Sequence, residues 1–172
     1  MKKLLIVAAV AIVVFTSCAG LMAHSTGMTQ EDPAYRIVPK NAMENRAVAT
    51  IVGTEYLKER ENKKAEAEMR EPNYKSIPDF GYITIKITAW TADMANAKDW
   101  LFIIHDANQN EIHRSSGTGS FPKGKISDVG EHYISSWSNY NIILLKNEPV
   151  YPLYLRVVSP DSTPIDITIK KR

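Results

Sequence analysis

The chain has a single cysteine, Cys18, among 172 residues. That excludes an internal disulfide and any zinc site built from several thiolates. It also lacks an excess of charge: 21 Lys and Arg stand against 19 Asp and Glu, a formal +2. A nucleic-acid-binding domain concentrates basic residues, and no such concentration is present, so no nucleic-acid partner is expected. No apolar run is long enough to span a bilayer. The longest, Leu4 to Phe15, has 12 residues, whereas a spanning helix needs roughly 20. No internal repeat is visible. What the chain does have is 44% hydrophobic residues, enough to support the core of one ordinary domain.

The apolar run is preceded by Lys2 and Lys3, with no acidic residue before Cys18. A basic start followed by a short apolar stretch is the pattern of a secretory signal, expected over 1–17. Phe15-Thr16-Ser17-Cys18-Ala19-Gly20 resembles the bacterial lipobox, at which signal peptidase II cleaves before a lipid-modified cysteine. Phe15 stands where that family usually has leucine. The resemblance implies that Cys18 becomes the mature N-terminus, carrying a diacylglycerol and usually a third acyl chain such as palmitate. Several acyl chains together give stable anchoring. Ala19 replaces the aspartate that retains enteric lipoproteins in the inner membrane, which favours the outer membrane. Without Lys2 and Lys3 the mature chain has 19 basic and 19 acidic residues, so the mild basicity belongs to export.

Residues 18–34 are rich in Gly, Ser and Thr and read as a flexible tether. A globular domain is expected over 35–172. Residues 42–70 read as one charged helix with Gly53 as a point of interruption. Glu59–Lys63 and Glu66–Arg70 have the favourable i, i+4 spacing, and Pro72 ends the run. Val48, Ile51 and Val52 are equally at home in a strand, so 41–53 stays open between the two.

From Phe80 the period changes to two. Ile83, Ile85 and Ile87 alternate with Thr84, Lys86 and Thr88, the pattern of a half-buried strand. Further strands are expected at 100–105, 111–114, 131–137, 140–146, 151–158 and 165–169, with a Gly/Ser loop over 115–125. Seven short strands over about 80–172 predict a mainly β fold, an antiparallel β-sandwich of immunoglobulin-like size preceded by one charged helix. The β-rich part has a general likeness to lipoproteins with one sandwich domain, which brings no named activity.

Several motifs imitate catalytic or metal sites. Asp106, Asn108 and Asn110 match the start of a calcium loop, but Glu111 stands where that loop needs glycine and Gly117 where it needs a bidentate glutamate. A turn capped by Asp and Asn side chains accounts for them. Gly119 to Lys125 approaches a phosphate loop but has Ile126 in place of the magnesium-binding hydroxyl. Ser120 and Lys123 have the spacing of the penicillin-binding pair without its companion motifs. His105 and His113 would face each other if the turn centred near 108–109. With Asp106, Glu111 or His132 they would suit zinc or copper, but no ligand spacing is distinctive and a solvated cross-strand pair is the better account. No cofactor, no metal and no catalytic residue is therefore expected.

Trp90, Trp137 and Tyr140 are the candidate ligand-contact residues, in and beside a segment of serines, asparagines and aromatics suited to adaptable recognition. Together these features point to a lipid-anchored envelope protein whose non-catalytic sandwich binds a partner or supports an assembly. A glycan- or peptidoglycan-binding module is the alternative, and a small envelope hydrolase ranks last. The solvated-histidine reading predicts that titration with zinc or copper leaves the thermal unfolding midpoint unmoved. A rise with metal concentration would instead establish a site.

Overall fold

Alternation of isoleucine with polar residues requires each strand to bury one face, and two sheets packed together satisfy that need. The computed structural model describes residues 32–40, 46–118, 121–129 and 132–172, without the side chains of 127–129 and 132–135. The expected signal peptide, Cys18 and residues 19–31 of the expected tether lie outside the described residues, while its last residues, 32–34, are described, with Asp32 buried.

Among the described residues, nine strands and one α-helix follow in order: β1 (Tyr35–Pro39), β2 (Ala47–Val52), α1 (Thr54–Ala67), β3 (Tyr82–Ala89), β4 (Leu101–His105), β5 (Glu111–Ser116), β6 (Lys123–Val129), β7 (His132–Leu144), β8 (Leu153–Val158) and β9 (Pro164–Lys171). One sheet has the order β1-β9-β8-β4-β5 and the other β2-β3-β7-β6. All neighbouring pairs are antiparallel. The expected mainly β sandwich is present, with the helix entering after β2. β4–β5, β6–β7 and β8–β9 are hairpins within a sheet, while the connections between them cross from one sheet to the other.

The core is a single cluster drawn from both sheets. Ile83, Ile85 and Ile87 of β3 are wholly buried against the inward residues of the facing sheet, among them Phe102, Ile104, Leu155 and Ile169. Burying an aliphatic side chain of this size contributes about 1.5–3 kcal/mol. Trp100 closes the core beside β4, its indole N–H donating to the Met94 carbonyl at 2.8 Å.

Three expectations are corrected. The helix read over 42–70 is two elements: 47–52 is a strand paired with β3, and the helix runs only from Thr54 to Ala67. Ala47, Ala49 and Ile51 are buried on one face of β2, so its β-branched residues serve a sheet. The helix stops before Pro72 because Met69 takes a left-handed conformation (φ 51°) and the Arg70 N–H caps the Ala65 carbonyl. Arg70 therefore lies beyond the helix. It pairs with Glu61 and Glu68 instead of Glu66, while Glu59–Lys63 forms as expected.

The strands expected at 131–137 and 140–146 form one continuous β7. The expected loop over 115–125 gives way to β6 at Lys123. Gly124 belongs there because a Cβ would stand 3.1 Å from the Trp137 ring, which lies across it. At Gly81 (φ 78°) a Cβ would sit 2.2 Å from the Val52 carbonyl oxygen. Gly81→Ala is thus expected to destabilise the domain by roughly 1–3 kcal/mol through strain and the forced backbone shift. Urea unfolding measures this, and an unchanged midpoint would contradict the constraint.

Candidate functional site

The buried isoleucines of β3 oblige the residues between them to face outward, and the register carries that face across the sheet. Val48, Lys86 and Tyr140 form one cross-strand row, Thr50, Thr84 and Ile142 the next, and Val52, Tyr82 and Leu144 a third. Thr88, Ser138 and Lys123 extend it onto β6, with Lys125 one step further along that strand. This face exposes large apolar groups: Leu144 at 58%, Val48 at 49%, Ile142 at 43% and Tyr140 at 38%. At its centre Thr84 is buried, and its hydroxyl has no hydrogen-bond partner.

The outward face of the five-stranded sheet is built differently. Arg156 makes a two-pronged contact with Asp166 at 2.7 and 2.9 Å. Arg114 grips Glu111 in the same way at 2.6–3.0 Å. These guanidinium contacts hold both carboxyls below their usual range. Such paired charges are ordinary for a solvated surface. On the four-stranded sheet, by contrast, Lys86, Lys123 and Lys125 form no ion pair among the described residues. No acidic residue shares their face in the described rows.

The three candidate contact residues do not come together. Tyr140 is on this outward face. Trp137 shares the inward side with Asn139, Asn141 and Ile143, and is half-buried over Gly124. Trp90 stands in the bend after β3, 69% exposed. Asn139 and Asn141, within the segment singled out for recognition, are buried. The Asn141 side-chain oxygen accepts from the Thr118 N–H at 3.1 Å and from its hydroxyl at 3.3 Å. The contributors missing from the sequence reading are Val48, Ile142 and Leu144. For Ile142 and Leu144 the signal was the unbroken apolar run from Ile142 to Leu145, in which alternation fails and both sides of the strand are apolar; Val48 joins them only through the pairing of β2 with β3.

Compared with protein-family models, curated proteins and solved structures, the chain matches none.

The imitated sites resolve into local structure. Asp106 is buried and accepts the N–H groups of Asn108 and Asn110 at 2.8 and 2.9 Å, a side-chain-capped turn. An irregularity between Ile104 and His105 shifts the hairpin register, so His105 opposes Glu111 and His113 opposes Ile104. The expected pairing of the two histidines therefore does not form, and alternation puts them on opposite faces. Burial and Lys146 push the His113 imidazole pKa down, and its ring contacts the Ser115 hydroxyl at 2.8 Å. Among the described residues no three His, Cys, Asp or Glu side chains gather as a metal set.

Two further places unite polar groups. At the start of the domain, buried Asp32 accepts from the Ala34 N–H at 2.9 Å and the Gly53 N–H at 3.0 Å. Gly53 precedes the first turn of α1, so this carboxylate caps the helix and complements its dipole. Tyr35 and Tyr151 pack beside it, ring centroids 5.4 Å apart. Burial, with the neighbouring Tyr35 hydroxyl, drives the Tyr151 phenol pKa far up. Along α1, a shallow groove of about 560 Å³ is lined by Glu55, Lys58, Glu59, Asn62 and Tyr74. Its wall is the segment after the helix, fastened by Glu61.

Glu61 accepts from Arg70 at 2.6 Å and from the Asn73 N–H at 2.8 Å. Those bonds lower its pKa from 4.5 to about 2. A carboxyl depressed in the folded state contributes stability that is complete above its unfolded pKa and vanishes as pH falls through the folded value. The contribution is therefore expected in full above pH 4.5 and lost between 4.5 and about 2. Glu61→Gln should flatten the pH dependence of the unfolding free energy in that window. An identical slope in the variant would contradict the assignment.

Proposed function

We propose that the chain is a lipid-anchored protein of the bacterial cell envelope, held at the outer membrane by acylated Cys18, whose β-sandwich is a non-catalytic interaction module. The observation that carries this reading is the only cysteine lying at the end of a lipobox-like segment, after a basic start and a 12-residue apolar run. In this reading the tether expected over 18–34 includes the thirteen residues 19–31 between Cys18 and Asp32. Fully extended they reach about 45 Å. No helix among the described residues is long and apolar enough to cross a membrane, and in this reading the acyl chains supply the attachment.

The interaction role is supported by the contrast between the two outward sheet faces. One pairs Arg156 with Asp166 and Arg114 with Glu111 but leaves Arg36 and Lys170 side by side without an ion pair, while the other groups Val48, Tyr140, Ile142 and Leu144 with three lysines that form no ion pair among the described residues. A glycan-binding role would draw on Tyr140 of this face and on Trp90, exposed in the bend after β3, but not on Trp137, which lies on the inward side over Gly124. A hydrolase finds no support in His105 and His113, which the hairpin register separates.

The anchor is tested by Cys18→Ala in the producing bacterium. The wild-type chain should incorporate labelled fatty acid and sediment with membranes. The variant should lose the label and accumulate as unprocessed precursor. Undiminished acyl labelling of the variant would refute the proposal.

A further inference from the structure

We infer that the outward face of the four-stranded sheet rests on an anionic lipid surface, so that the domain lies against the bilayer to which it is tethered. This deepens the anchored reading by naming what the exposed face meets.

The inference starts from composition by position. The outward rows of β2, β3 and β7 bring Val48, Tyr140, Ile142 and Leu144 together. The register adds Lys86, Lys123 and Lys125 without an acidic residue among them. Water gains nothing from such a face, because exposed apolar area is costly and three like charges repel. An anionic headgroup layer answers both features. Lysines are drawn to negative surface potential, their aliphatic stems and the Tyr140 ring suit the boundary between headgroups and hydrocarbon, and the aliphatic groups leave water.

Charge decides against a second copy of the chain. A two-fold contact through this face would bring one lysine-bearing face against another, and like charges across an interface are unfavourable. The tether decides between a bilayer and an acidic protein. A domain held within about 45 Å of the membrane meets headgroups at high effective concentration before it meets any diffusing partner.

Val52 and Thr84 on this face are buried and Tyr82 is half-buried, so contact is made through the exposed Val48, Tyr140, Ile142 and Leu144. Gly53, bonded to Asp32, directly follows the Val52 end of the Val52–Tyr82–Leu144 row. The lysines of β6 stand towards the opposite end, beside Ser138 and Ser136.

The test is hydroxyl-radical footprinting of the acylated full chain in vesicles of phosphatidylcholine, with and without phosphatidylglycerol. With the anionic lipid, Tyr140, Ile142 and Leu144 should become several-fold less reactive, while Ile112 and Tyr154 on the other sheet keep their reactivity. High salt should reverse the protection, since screening shortens the reach of each charge. Replacing Lys86, Lys123 and Lys125 with glutamine should abolish it. Equal reactivity in both vesicle types, or equal protection of both sheets, overturns the inference. So does protection that grows with protein concentration in detergent, which indicates a second copy. So does protection that requires an added acidic protein. The mass of the Cys18 peptide from the same samples separates the two proposals. An unmodified Cys18 removes the anchor while leaving charge-dependent protection to stand, and an acylated Cys18 without protection removes only the bilayer contact.

Discussion

The constraint on which the rest depends is the two-residue period of β3. Ile83, Ile85 and Ile87 are entirely buried, and a shift of one residue would turn all three to the outward face and bring Thr84 and Lys86 into the apolar core in their place. Because β3 lies between β2 and β7, its register also orders the partners on both sides. The long β7 is thereby held with Asn139, Asn141 and Ile143 inward and Tyr140, Ile142 and Leu144 outward. One hydrophobic stripe thus determines what the sheet shows to its surroundings. The stability of the core and the chemistry of the exposed face are the two sides of one pleat.

A second organising point lies at Asp32, where the described sandwich begins. A carboxylate taken out of water is unfavourable unless its lone pairs are satisfied. Asp32 meets that condition by accepting the N–H of Ala34, just before β1, and the N–H of Gly53, at the junction of β2 and α1. It thereby joins elements of both sheets. Gly53 leaves room for this: a Cβ there would come within 2.8 Å of the Tyr35 hydroxyl. Asp32 and Ala34 are consequently built into the sandwich.

Much of the fold was legible in the sequence where one face of a strand is apolar and the other polar. β3 and β9 alternate cleanly, and their isoleucines are buried as alternation requires. β6 was not legible, since Pro122, Lys123, Gly124 and Lys125 have the local chemistry of a loop. Its strand character comes from pairing with β7 and from the Trp137 ring that occupies the space above Gly124, both long-range effects. β2 was ambiguous because Val48, Ile51 and Val52 satisfy two periodicities at once, and only β3 as a partner resolves them. The histidine pairing failed for a similar reason: a one-residue irregularity in the hairpin reverses which side each ring faces. Tyr140 was named on composition. The aliphatic groups around it were hidden because strand neighbours such as Val48 and Ile142 are far apart in the chain.

The chain termini carry a practical consequence. β1 pairs with β9, and the Arg172 N–H donates to the Ala34 carbonyl at 2.8 Å, so Arg172 lies beside the start of β1. A fluorescent protein or purification tag fused after Arg172 would emerge at that same pole, next to Asp32 and Ala34. The Pro160–Thr163 turn between β8 and β9, at the other end of these strands, offers a place to insert a reporter away from it.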